Sequence, residues 1–251
     1  MSNAKWLVCN QAKNSAETRL VCFPYAGAGA SVFFSWGGSL ASTLVEVHSV
    51  QLPGRETRLT EKPARSVGQL VPALADAVAR LMDRPLALVG HSMGALLAFE
   101  VCRELRSRGL GLPKKLIVCG SKPPHLVHLN RKLHQLGDAE FIETISRDYN
   151  GIPRELLNEP EIIELIRPIL RADFELMETY EHSKEPPLDL PILAFGGQDD
   201  LSVPWADLLE WRQHAAREFR ARPFAGGHFF INERRESVIR SVLEEIMTPA
   251  I

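Results

Sequence analysis

Short apolar runs alternate with longer helical stripes along most of the chain. Leu20, Val21, Cys22 and Phe23 form an unbroken apolar run, stopped by Pro24 and a glycine-rich loop. Residues 86–89, 116–119 and 192–195 supply three more, and 45–52, closed by Pro53-Gly54, and 219–224 are further strand candidates interrupted by polar residues. Unbroken runs of this length, bounded by turn residues, are the mark of strands buried on both faces. Between them, residues 70–82 carry Leu70, Leu74, Val78 and Leu81 at helical spacing, and Pro72 is expected in the first turn, where a missing N–H costs little. Further helical patterns follow at 95–101, with an end near Gly109, at 205–216 and at about 233–246. Alternation of this kind predicts an α/β fold, a mostly parallel sheet with helices on both faces.

The alternation stops between residues 121 and 187, a stretch far longer than a crossover helix and its loops require. Amphipathic patterns at 139–146, 161–170 and 172–180 are punctuated by Pro153, Pro160 and Pro186-Pro187. The segment is expected to be a helical lid inserted into one domain spanning residues 1–251. Leu165, Ile169, Leu176 and Met177 are candidates for the apolar wall of a channel beneath it. Periodicity equally allows them to pack lid helix on lid helix.

Composition narrows the function classes. The chain has 251 residues, 45% of them hydrophobic, enough for a large core. Its 29 Lys and Arg against 31 Asp and Glu give a net charge of −2 with no long run of one sign, which argues against a nucleic-acid or polybasic membrane surface. The four cysteines, Cys9, Cys22, Cys102 and Cys119, show no C-x-x-C spacing, and three lie in apolar runs, as in a reduced cytoplasmic protein. No stretch has the pattern of a signal peptide or a bilayer span. His125, His128 and His134 cluster at the lid entrance without acidic or cysteine partners, so no metal site is expected.

The chemistry centres on Gly90-His91-Ser92-Met93-Gly94, between the run 86–89 and the helical pattern 95–101. A serine on so sharp a strand-to-helix turn is held in a strained backbone, and only glycine-sized neighbours let the two elements close around it. The turn lifts the Ser92 hydroxyl clear of the sheet and aims the first helical N–H groups at an oxyanion forming there. Serine needs a base, and the base an orienting carboxylate, in the chain order Ser, Asp, His. Of eight histidines, His228 in Gly226-Gly227-His228 has both the order and the loop context. Gly196-Gly197-Gln198-Asp199-Asp200 supplies the acid; Asp200 is favoured by its D-x-x-V-P setting, with Asp199 the alternative. The oxyanion donors are expected to be the Met93 and Ala26 amides, the latter in a loop of small residues. Phe33, Phe34 and Trp36 suit an acyl pocket and ordinary core packing equally.

Five segments, in order along nearly the whole chain, resemble the external, or type II, thioesterases of polyketide and nonribosomal peptide synthesis. They are Phe23-Pro24-Tyr25-Ala26-Gly27, Gln51-Leu52-Pro53-Gly54-Arg55, the serine turn, Arg171-Ala172-Asp173-Phe174 with Glu178-Thr179-Tyr180, and Gly226-Gly227-His228-Phe229-Phe230. Tyr25 stands where many members have histidine, and Ala28 where many have glycine. The resemblance implies an α/β-hydrolase fold without cofactor or metal, in a cytoplasmic monomer. It further implies hydrolysis of acyl groups from the phosphopantetheine arm of acyl or peptidyl carrier proteins. A carboxylesterase or lipase would use the same triad, and a non-catalytic binding module would not need it.

Overall fold

The computed structural model describes residues 5–127, 132–149 and 158–247. Pro153 and His128, weighed above, lie outside the described residues. Seven strands, β1 (Leu7–Val8), β2 (Thr18–Phe23), β3 (Val45–Val50), β4 (Leu86–His91), β5 (Lys115–Cys119), β6 (Ile192–Gly197) and β7 (Phe219–Phe224), form one sheet in the order β1-β3-β2-β4-β5-β6-β7. Only β1 runs antiparallel, against β3. It is too short to leave a periodic signal. Among the described residues the helices are α1 (Phe34–Ser39), α2 (Val67–Ala79), α3 (Met93–Ser107), α4 (Asp138–Tyr149), α5 (Pro160–Glu178), α6 (Trp205–Leu209), α7 (Phe230–Glu233) and α8 (Arg235–Met247).

The unbroken apolar runs are explained by cores on both faces. Successive side chains of a strand point to opposite sides. Leu86 and Leu88 of β4 therefore pack with α2 and α3, while Ala87 and Val89 pack with Trp36 of α1 and Val238 and Val242 of α8. Phe33 and Trp36 belong to this second core, ring against ring at 5.3 Å, and do not line the pocket that holds Ser92.

Two helices run through prolines. Pro72 sits in the second turn of α2, not the first, and Pro168 in the middle of α5. The carbonyls deprived of a partner belong to Gly68 and Glu164, four residues earlier; both residues are exposed, so water can serve these carbonyls. The two lid patterns at 161–170 and 172–180 thus merge into one helix. The pattern at 205–216 instead shortens to α6 followed by a 3-10 turn, Glu210–His214.

From β2 the chain turns outward to β3, then returns by α2 to β4 on the other side of β2. Such a reversal leaves a crevice beyond the carboxyl ends of the two strands. Between β5 and β6 the chain leaves the sheet to build α4 and α5. Phe141 and Ile145 pack against Leu170, Phe174 and Leu133 in a small core of their own.

Candidate active site

Ser92 joins β4 to α3 with φ 54° and ψ −118°, one of two positive-φ non-glycine residues among those described. Its neighbours have no room for side chains. A Cβ on Gly90 would stand 2.3 Å from the Gly94 carbonyl oxygen, and one on Gly94 2.2 Å from that of Phe23. Backbone on backbone cannot yield by rotamer change, so both positions demand glycine. The Ser92 amide donates to the Cys119 carbonyl at 2.9 Å, tying the turn to β5. The strain is of the kind that tertiary contacts must sustain, about 1–3 kcal/mol.

The loops after β6 and β7 meet backbone to backbone: a Cβ on Gly197 would lie 2.2 Å from the Gly227 carbonyl oxygen. This contact carries Asp200 under His228. Asp200 Oδ2 lies 2.8 Å from His228 Nδ1, and both residues are buried. Asp200 Oδ1 accepts the Ser202 amide at 2.9 Å, the Ser202 hydroxyl at 2.6 Å and the Val203 amide at 3.2 Å. Burial pushes the Asp200 carboxyl up, but the His228 and Ser202 hydrogen bonds outweigh it and hold the group below the usual range. Asp199 points to solvent instead, its amide bonded to the Gly226 carbonyl at 2.9 Å. Ser202, missed by the sequence reading, also lies 3.0 Å from His228 Nδ1.

Beneath His228 lies the fully buried ring of His91, centroids 5.1 Å apart. Burial, and then the proximity of His228, hold the His91 imidazole well below the usual histidine range, so it is neutral at pH 7. A neutral ring there adds no charge against an imidazolium forming on His228.

Ser92, Met93, Ala26 and His228 line one pocket with about 930 Å³ of empty space, its open mouth included. Among the described residues, neither the Ala26 nor the Met93 amide makes a hydrogen bond. Met93 opens the 15-residue α3, whose N-terminus favours negative charge. The walls are mainly apolar: Leu96, Leu126, Val127, Ile145, Tyr149, Leu170, Phe174, Met177 and Phe229.

Of the four candidate wall residues, Met177 lines this pocket and the others do not. Leu165 is 53% exposed, Ile169 is buried away from the pocket, and Leu176 joins the core with α2 and α3. The pocket-facing stripe of α5 is Leu170, Phe174 and Met177. Apolar residues surround much of this helix, so its pattern could not tell which stripe faces the pocket.

The histidines of the lid entrance separate. His125 Nδ1 meets His214 Nε2 at 2.8 Å, with His182 packed beside them, while His134 pairs with Glu178. Among the described residues, one group has the proximity of metal ligands: Cys9, Glu46 and His48, none of which lines the pocket. The Lys13 amide at 2.8 Å and Arg19 at 3.3 Å already occupy the Glu46 carboxylate, which weighs against a cation there. Cys22, Cys102 and Cys119 are buried and unpaired, and burial pushes their thiols up. No described helix is long and apolar enough to cross a membrane.

A strand-to-helix serine, a buried histidine–carboxylate pair and two residues whose amides make no hydrogen bond among the described residues border one apolar pocket, an arrangement able to serve acyl transfer. Comparison with known proteins agrees. The chain is 37% identical over 242 residues to the gramicidin S biosynthesis protein GrsT of Aneurinibacillus migulanus, covering 96% of this chain and 94% of that one. RedJ, a thioesterase from the prodiginine pathway of Streptomyces coelicolor, superposes with a TM-score of 0.86 at 39% identity, over 92% of this chain and 91% of its own. BorB, a type II thioesterase from the borrelidin biosynthetic cluster, does so at 0.87 and 31%, over 96% and 97%. These neighbours share the α/β-hydrolase fold, and a family model described as a thioesterase domain matches residues 18–246. The chain therefore belongs to the thioesterase family.

Proposed function

We propose that this protein is a type II, editing thioesterase that clears aberrant or stalled acyl groups from the phosphopantetheine arms of carrier proteins. The observation that carries the reading is the Asp200–His228 pair facing the pocket that Ser92 enters. His228 Nε2 takes the Ser92 proton as Oγ attacks the thioester carbonyl. Asp200 holds the proton on Nδ1 and balances the imidazolium. The Met93 and Ala26 amides stabilise the tetrahedral oxyanion. Collapse expels the pantetheine thiol, a good leaving group with a pKa of roughly 8.5, which takes its proton from His228. Water, deprotonated by His228, attacks the acyl-serine, and a second collapse returns the proton to Ser92 and frees the acid.

Residues 121–187 act as a lid, in a single domain. Leu170, Phe174, Met177, Ile145 and Tyr149 form the acyl-facing wall and keep bulk water from the acyl-enzyme. Every group in the cycle comes from one chain, which fits a working monomer. Free, buried cysteines fit a reducing compartment such as the cytoplasm.

The test compares turnover of an acylated carrier protein with that of p-nitrophenyl esters, for the native enzyme and for Ser92→Ala. Preference for the carrier-bound thioester, abolished by Ser92→Ala with the fold intact, is the expected result. A preference for the free esters means a generic esterase. Substantial thioesterase turnover by Ser92→Ala refutes the mechanism.

A further inference from the structure

Two segments far apart in the chain meet at a buried ion pair over the loop that carries Ala26. Asp173 of α5 and Arg55, in the loop after β3, are 1% and 3% exposed. Arg55 Nη1 donates to Asp173 Oδ2 at 2.6 Å and Nη2 to Oδ1 at 2.8 Å, a bidentate pair. The pair reaches beyond itself. Asp173 Oδ2 also accepts the Gly27 amide at 2.7 Å, and Arg55 Nη1 donates to the Ala28 carbonyl at 3.2 Å.

Residues 25–28 form a β-turn. The Ala28 amide donates to the Tyr25 carbonyl at 3.1 Å, and Gly27, third in the turn, has φ +81°. That is the arrangement of a type II turn, where the third residue must tolerate positive φ. The central peptide of such a turn can flip, and the Gly27 N–H is the group that swings when it does. Asp173 holds that N–H. The Tyr25 carbonyl closing the turn and the Ala26 N–H lie on opposite sides of one trans peptide. A closed turn therefore directs the Ala26 N–H outward, and Ala26 lines the pocket. Leu170, one turn earlier on α5, packs so closely that a Cβ on Gly27 would stand 2.6 Å from its Cδ2.

We propose that Asp173 and Arg55 are positioning residues that clamp the turn at 25–28 from the lid helix, so that closure of α5 and assembly of the oxyanion hole are one event. The inference rests on the reading of Ser92 and Ala26 given above. Neither clamp residue touches the reacting atoms; both act through Gly27 and Ala28 on the Ala26 amide. A lid helix displaced from the body would free the Gly27 N–H and the Ala28 carbonyl and so loosen the turn whose closure aims the Ala26 N–H. Hydrolysis is then confined to the closed state, in which the acyl group is covered.

The test uses the double variant Arg55→Met/Asp173→Leu, which removes the clamp without leaving a lone buried charge. Arg171→Gln serves as the control. Arg171 binds the His134 and Leu136 carbonyls and Asp138, anchoring α5 within the lid without touching the turn. The readouts are kcat and KM on an acyl-pantetheine thioester, and the affinity of a trifluoromethyl ketone analogue that adds to Ser92 as a tetrahedral oxyanion. Losing an oxyanion donor outright costs about 10²–10³ in kcat, so a misaimed one is expected to cost about 10- to 100-fold, with KM little changed and analogue affinity falling in parallel. Arg171→Gln is expected to keep the native kcat.

An unchanged kcat in the double variant, a loss confined to KM, or an equal loss in Arg171→Gln overturns the clamp. Should the double variant not fold, Arg55→Lys, which keeps the buried charge but not the bidentate grip, is judged by the same criteria. Ser92→Ala runs alongside. If it is inert, the clamp alone stands or falls; if it turns over, the reading of the site itself has failed.

Discussion

Asp200→Asn puts the proposed mechanism under the strictest test, because the surrounding bonds dictate how the new amide must sit. Three donors converge on Asp200 Oδ1, from Ser202 N, Ser202 Oγ and Val203 N. Only His228 Nδ1 meets Oδ2. An asparagine will therefore keep its carbonyl oxygen at the first position and place its NH₂ against the imidazole. Turning it round would oppose an NH₂ to two backbone amides, at about 1–3 kcal/mol for each buried donor left unmade. In the favoured pose His228 Nδ1 becomes an acceptor and the ring proton moves to Nε2. That tautomer cannot take the proton of Ser92. The same exchange in a serine protease triad lowers kcat about 10⁴-fold, close to 5.5 kcal/mol of activation energy. Steady-state hydrolysis of an acyl-pantetheine thioester measures the loss. Urea unfolding should show a stability change of no more than about 2 kcal/mol, since the shape is kept and only charge-assisted bonds weaken. Asp199→Asn, on an exposed side chain, should leave kcat within about twofold of native. An Asp200→Asn enzyme within about tenfold of native activity, or an Asp199→Asn enzyme damaged as severely, would refute the reasoning.

Gly94→Ala should destabilise the fold by about 3 kcal/mol, since its Cβ would lie 2.2 Å from the Phe23 carbonyl oxygen; an unchanged thermal midpoint counts against it. Phe174→Ala and Met177→Ala should shift the preferred acyl length, and Leu165→Ala, on the exposed side of α5, should not; an acyl-chain series read beside thermal unfolding decides. His214 gives a pH dependence. Burial, then His125 and His182, push its pKa down to about 4 from an ordinary 6.5, so between those values the unfolded chain holds a proton that the folded one lacks. Its contribution to stability is therefore lost as pH falls from about 6.5 to about 4, on the order of 2 kcal/mol once solvent screening is allowed for. Denaturant curves at pH 7 and pH 4.5 should show His214→Gln losing less stability than the native protein, and equal losses would contradict this.

Much of this molecule was legible in the chain because local rules bear on it directly. A run such as residues 86–89, short and bounded by Pro85 and Gly90, points to a doubly buried strand. Glycines two residues either side of Ser92 announce a turn that nothing larger would permit, and the histidine and acid candidates stand just past strand ends, where an α/β sheet exposes its loops. Other features depended on what lies across space. The sequence favours Asp200 over Asp199 by its D-x-x-V-P setting alone; which carboxylate meets His228 is a contact made across space. The apolar residues of α5 surround much of the helix, so the choice of Leu170, Phe174 and Met177 over Ile169 and Leu176 waited on how the helix is rolled against the body. Pro72 is expected inside its helix from the sequence, whereas Pro168 looks like a helix breaker until the fold shows that the carbonyl it orphans belongs to the exposed Glu164. Arg55 and Asp173 lie in segments that carry the family resemblance, but only packing makes them a buried pair on the Gly27 amide. Periodicity reports which residues can be hidden from water. What they are hidden against is set by long-range packing, which a local pattern does not encode.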